Sequence, residues 1–297
     1  MAWDNIIDHD RIKKILQKAI LDNKIPNSYL FWGGEGVGKD ALAIEFAKTV
    51  NCEDPVKASD TIEACGQCKS CKLSDKLQNS NIELIFSLPT GKAGDTGAED
   101  PLLKLSDEQL NAVREQIQLK AENPYHRITI PSANQIKISS VRHIRKKLML
   151  SIPRKGRRVV IMSCADEMTT EASNAFLKTL EEPHENVTII LTTSRQDRIL
   201  PTILSRCQQI HCEPIPVQEI ADALVEKYEA DEVQAKLAAA FSQGSFTRAV
   251  EFLDEDIQQL RVDVVDMLRT VLKKNVYRVE LLERIDNILK FKDRKYI

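Results

Sequence analysis

A chain of 297 residues with 42% hydrophobic and 29% charged residues can bury a sizeable core, most naturally in two or three domains, and is too rich in apolar side chains to be disordered. Its formal net charge of −2 excludes a globally basic nucleic-acid binder while leaving room for a basic patch on one face. Apolar runs such as Val159 to Met162 and Val187 to Leu191 fall far short of the roughly 20 residues of a membrane span, so no membrane partner is expected.

The N-terminal stretch carries acidic residues early and no apolar segment before a small-residue cleavage site; it does not read as a secretion signal, and the expected location is the cytoplasm. In that setting seven cysteines, an odd number, point to a metal or to free thiols over a disulfide framework. Ile12, Ile15, Leu16, Ala19 and Ile20 share one face of a predicted helix. SYLFWG, Ser28 to Gly33, reads as a short buried strand running into a Gly-rich turn, and DALAIEFAKTV as a helix with Leu42, Phe46 and Val50 on one side. Residues 52 to 71 are cysteine-rich, and 89 to 100 are small and polar enough to form a loop. A helix capped by Ser106, with Gln109 three residues on, runs to about Ala121 before NPYHRITIPSANQIKI breaks it.

Another helix starts near Ser139 or Ser140, turning Val141, Ile144 and Leu148 inward and Arg142, Arg145, Lys146 and Lys147 outward. The strand RVVIMS, a helix through ASNAFLKTLEE stopped by Pro183, the strand VTIILTT and a last strand in QQIHC alternate as a parallel sheet covered by helices does. After Pro214 and Pro216 the pattern is wholly helical, and a domain boundary is placed there.

Two constellations carry chemistry. In GGEGVGKD the spacing G-x-x-x-x-G-K, between strand and helix, is that of a phosphate-cradling P-loop. Gly33, Gly36 and Gly38 allow backbone amides to face phosphate oxygens, and Lys39 neutralises charge. Asp40 stands where a Ser or Thr hydroxyl would reach Mg²⁺, and its charge weakens Mg-nucleotide binding; a turn that only joins strand to helix is the plainer alternative. A working P-loop enzyme also needs acidic residues ending a neighbouring strand. Here that strand ends in Ser163 and Cys164, and Asp166-Glu167 lies about 10 Å further along an extended chain, unless the strand frame is shifted toward them. The second constellation is Cys52, Cys65, Cys68 and Cys71, spaced C-x₁₂-C-x₂-C-x₂-C. Four thiolates can enclose a tetrahedral, structural Zn²⁺; a redox C-x-x-C or unligated core thiols are the alternatives. Cys164, Cys207 and Cys212 read as core. The basic residues Arg142, Arg145, Lys146, Lys147, Arg154, Lys155, Arg157 and Arg158 form either a solvated face or a contact for phosphates, with no stacking aromatics among them.

From about Ile6 to Ala249 the sequence resembles bacterial clamp-loader subunits of the AAA+ class, most closely their delta-prime branch. SYLFWGGEGVGK, the four cysteines, NAFLKTLEEP (Asn174 to Pro183) and ILPTILSRC (Ile199 to Cys207) carry the match. The resemblance implies an α/β AAA+ P-loop domain, a three-layer parallel sheet over 1–213 with a zinc module at 52–71 and an insertion at about 88–135. A small all-α lid at 214–250 and the start of a helical collar at 251–297 would follow. It implies that Ser205-Arg206-Cys207 presents Arg206 as an arginine finger to ATP and Mg²⁺ held by a neighbouring subunit, where a guanidinium stabilises the transferring phosphoryl group. Thr193 and Ser194 correspond to the nucleotide-sensing region of a degenerate site. Asp40 and Ser163-Cys164 depart from the gamma or tau motor pattern, which implies an architecture kept and hydrolysis lost. The implied partners are the motor and delta subunits, the sliding clamp and primer-template DNA.

Overall fold

The computed structural model describes residues 3–90, 100–149, 156–182, 185–254, 265–266 and 268–269. Its strands are β1 (Ser28–Trp32), β2 (Val56–Lys57), β3 (Ile62–Glu63), β4 (Ile82–Ile85), β5 (Arg158–Met162), β6 (Val187–Thr193) and β7 (Gln208–His211). Its helices are α1 (Asp10–Leu21), α2 (Lys39–Val50), α3 (Lys69–Asp75), α4 (Asp107–Glu122), α5 (Ile138–Leu148), α6 (Thr170–Glu181), α7 (Pro201–Leu204), α8 (Val217–Tyr228), α9 (Glu232–Phe241) and α10 (Phe246–Asp254). Residues 1–249 form one compact unit and 250–297 a second. The expected collar, 251–297, lies almost entirely outside the described residues, as does most of the polar loop at 89–100.

Five strands form a parallel sheet in the order β4-β5-β6-β1-β7, and β2 and β3 form a separate antiparallel pair. Strands covered on both faces must be apolar along their whole length, and β5 and β6 are buried throughout. Val141, Ile144 and Leu148 of α5 and Phe176 and Leu180 of α6 pack on Val160, Met162 and Ile189. That is the inward face expected for α5. A smaller cluster of Phe86, Leu105, Val113 and Ile130 seats α4. The capping box at Ser106 forms as expected, with Gln109 N–H donating to Ser106 Oγ at 3.3 Å and Ser106 N–H to Gln109 Oε1 at 3.0 Å.

The register aligns the strand ends. Trp32 pairs with Thr193, and Ile85 and Leu191 both pair with Met162, so the loops after β1, β4, β5 and β6 open on one edge of the sheet. Strand β4 escaped the sequence reading: four residues on a sheet edge, Ile82 and Ile85 buried and the two between them half-buried, carry too short a pattern to separate from a loop. Ile15, assigned to the inward face of α1, is 38% exposed. The basic stretch also needs correction. Arg158 lies buried in β5 and donates to the Lys147 carbonyl, while Arg157 donates to Thr188 Oγ1 at 2.6 Å and to the Val187 carbonyl at 3.1 Å. Both belong to the structure, Arg158 as the first residue of a buried strand and Arg157 as the residue before it; Arg154 and Lys155 lie outside the described residues. Lys147 pairs with Glu83 at 2.9 Å, which leaves Arg142 and Lys146 as the exposed members of α5.

Candidate functional site

Strand β1 delivers the Gly-rich loop to the sheet edge, and α2 begins at Lys39. Gly36, at φ 72°, and Gly38, at φ 96°, occupy left-handed backbone that other residues adopt at a penalty. A Cβ on Gly36 would sit 2.1 Å from Ser245 Oγ, and one on Gly38 would sit 2.9 Å from the Tyr125 ring. The loop is therefore clasped on both sides. Lys39 folds back on it, donating to the carbonyls of Gly33 at 3.0 Å and Gly34 at 2.5 Å. Burial lowers the Lys39 pKa, with Asp40 the largest opposing influence.

Asp40 is the centre of the arrangement. Its Oδ2 accepts from Lys120 Nζ at 2.8 Å and from Ser163 Oγ at 2.9 Å, and its Oδ1 from Thr192 Oγ1 at 2.6 Å. Burial alone would raise the carboxyl pKa; the charge and hydrogen bond of Lys120 and the hydroxyls of Thr192 and Ser163 outweigh it and hold the group below its ordinary value. Lys120 is itself 2% exposed, and its ammonium also donates to the His126 carbonyl at 2.7 Å.

Ser163 and Cys164 follow β5 directly, and Ser163 reaches Asp40. Burial, reinforced by the negative charge of Asp40, pushes the Cys164 thiol up to about 12; a neutral thiol there is no general base. Asp166 and Glu167 engage other groups. Asp166 accepts from Thr193 Oγ1 at 2.6 Å and Arg195 Nε at 3.0 Å, and Glu167 from Ser87 Oγ at 2.5 Å. Thr193 thus serves Asp166, and the neighbouring Thr192 serves the loop.

A nucleoside triphosphate with its divalent cation, which the motif implies, does not fit these residues. The Asp40 oxygens already have three donors, Tyr125, His126 and Arg127 cover the loop, and the cavity left between them is about 60 Å³, against ~300 Å³ or more for an ordinary ligand pocket. Sequence reasoning missed Lys120, Tyr125 and Thr192. One signal was available: Val113, Ile117 and Lys120 fall at i, i+4 and i+7 on α4, so a lysine occupies a place where the inward stripe calls for an apolar residue.

The four cysteines do converge. Their sulfurs lie within 4.8 Å of one another, near the ~3.8 Å that Zn–S bonds of about 2.3 Å impose in a tetrahedron. Backbone N–H groups of Cys65, Cys68 and Cys71 donate to the sulfurs of Cys52, Cys65 and Cys68 at 3.3, 3.3 and 3.4 Å, the support that thiolates require. Cys68 also caps α3. The set can hold a metal ion.

Arg206 follows α7 and is exposed. Its guanidinium donates to the Thr202 carbonyl at 2.8 Å and to Glu181 Oε1 at 2.9 Å, and its own carbonyl accepts from Ser28 Oγ at 2.6 Å. Ser28 starts β1 whereas Gly33 follows its last residue, so the Arg206 backbone lies at the far end of the sheet from this chain's own loop, about 16 Å away at 3.3 Å per residue.

A family model described as DNA polymerase III, delta subunit, matches residues 8–216. The chain belongs to that family. Among curated relatives of this DNA polymerase III delta-subunit family member, the tau subunit of Bacillus subtilis is 28% identical over 261 residues, 86% of this chain and 38% of the relative. The delta-prime subunit of Pseudomonas aeruginosa is 28% identical over 267 residues, 88% of this chain and 66% of the relative. The chain therefore spans well under half of the tau subunit. A solved Thermotoga maritima protein related to the gamma subunit of DNA polymerase III aligns over 96% of this chain and 79% of its own, with 21% identity and a TM-score of 0.46. This DNA polymerase III delta-subunit family member has a parallel α/β sheet with a Gly-rich loop between β1 and α2, and no described helix is long and apolar enough to cross a membrane.

Proposed function

We propose that this chain is a non-hydrolysing, delta-prime-like subunit of a bacterial clamp loader, which completes a neighbouring subunit's ATPase site with Arg206 while a sliding clamp is loaded onto primed DNA in the cytoplasm. The observation that carries the reading is the separation of two ends of one sheet. The end that would bind nucleotide is filled by the Asp40–Lys120 pair, and the opposite end exposes Arg206, away from this chain's own Gly-rich loop. A guanidinium supplied in trans needs no nucleotide of its own. We assign structural Zn²⁺ to Cys52, Cys65, Cys68 and Cys71, a closed four-thiolate set with no position left for substrate, and the lid and collar to 214–250 and 251–297.

The test is Arg206→Ala in the loader assembled with its motor subunits. Hydrolysis at the one site it completes should fall by about 10³-fold while assembly persists; an unchanged DNA-stimulated rate would overturn the finger. Robust ATP turnover by the chain alone would instead make it a motor.

A further inference from the structure

The P-loop is closed by a segment of the same chain. Residues 120–127, at the end of α4 and beyond it, are fastened to each wall of the cleft. Lys120 Nζ bonds Asp40. The Tyr125 hydroxyl accepts from the Ile7 amide at 2.8 Å, its carbonyl accepts from Thr247 Oγ1 at 3.0 Å, and its ring packs edge-on against Phe246 at 4.9 Å. Arg127 pairs with Glu35, inside the Gly-rich loop, and with Glu167 at 3.4 Å.

These contacts answer the two demands of a phosphate site one by one. A P-loop that binds Mg-nucleotide leaves an oxygen ligand open to the cation and leaves its lysine facing the phosphates. Here a lysine ammonium lies against the carboxylate at the cation-facing position, and Lys39 is bonded to its own loop's carbonyls. We propose that residues 120–127 are an internal occupant of the P-loop cleft: the Lys120 ammonium stands in for the divalent cation beside Asp40, and Tyr125 to Arg127 take the space a nucleoside triphosphate would fill. The segment gives the loop what bound nucleotide gives an active relative, a set of partners on every side, without exchange.

The test uses the full chain in isolation and is read as binding, so its failure leaves the Arg206 assignment standing and the reverse also holds. Fluorescent ATP analogue with Mg²⁺, and Mn²⁺ alone, should neither bind the unaltered chain nor raise its melting temperature. The variant Asp40→Ser with Lys120→Met and Tyr125→Ala removes both buried charges together, restores the hydroxyl and opens the cleft. It should bind the analogue about tenfold or more tightly than the unaltered chain. Binding by the unaltered chain equal to that of the variant, or a folded variant that gains none, overturns the proposal. Should the variant fail to fold, hydrogen exchange of the unaltered chain decides. Amides of Ile7 and of residues 34–39 that are protected without nucleotide and unchanged by Mg-ATP support the internal occupant; protection that appears only with Mg-ATP overturns it.

Discussion

A carboxylate buried at the mouth of a phosphate loop survives only if something local neutralises it, and Asp40 has Lys120, Ser163 and Thr192. Removing one partner of such a pair leaves the other charge stranded, so Lys120→Met should destabilise the chain by about 3–5 kcal/mol, whereas adding Asp40→Asn should recover most of that loss. Urea unfolding of the three variants measures the cycle. Because the folded Asp40 pKa lies below the unfolded value of about 3.9, its contribution is complete above that value and is lost as pH falls through the folded one. Glu45 has the opposite sign. Burial pushes its carboxyl up to about 7, and its Oε1 has no hydrogen-bond partner among the described residues. Between about 4.5 and 7 the folded chain holds a proton that the unfolded chain has released, so stability falls as pH rises across that window, by up to ~3 kcal/mol. Glu45→Gln should flatten this slope, which urea midpoints at about pH 5 and about pH 8 would reveal; an unchanged slope would remove Glu45 from the account.

At the scale of elements, α4 is a lever whose last turn carries Lys120 to Asp40. Its start is set by the Ser106–Gln109 capping box and its seat by Val113. Ser106→Ala should cost about 1 kcal/mol, and hydrogen exchange should quicken first in α4 while β5 and β6 stay protected. The cysteine module is independent of that lever. It consists of the β2–β3 pair and α3, two short strands and seven helical residues, too little apolar surface to hold itself together. On the zinc assignment, Cys71→Ser or a chelator should abolish the stoichiometric Zn²⁺ seen by elemental analysis and unfold the module, with the sheet's far-ultraviolet signal largely kept. Full retention of the fold and no zinc in the native chain would remove the assignment.

At the scale of the whole molecule, the two ends of the parallel sheet carry different groups. One end is sealed here, and the other offers Arg206 on an exposed turn held by Glu181. Exposed pairs of this kind contribute ~0–1 kcal/mol, so Arg206→Ala should leave the unfolding free energy of the isolated chain within about 1 kcal/mol. The same change should be felt strongly in the assembled loader. That split, measured by urea unfolding and by DNA-stimulated hydrolysis, separates a residue kept for a neighbour from one kept for the fold.

Local pattern alone specified much of this protein. The Gly-rich turn between a buried strand and a helix, the inward face of α5, the capping box of α4 and the cysteine spacing all rest on residues within a few positions of each other, where periodicity and backbone preference act. Only the tertiary structure decided what Asp40 does. Its partners come from 80, 123 and 152 residues away, and no local rule joins Lys120 to a loop that far back in the chain. The same holds for Arg158, which composition groups with a basic surface and which the sheet buries. Charge is legible along a sequence, but its neutralisation depends on which distant groups the packed core brings to within 3 Å.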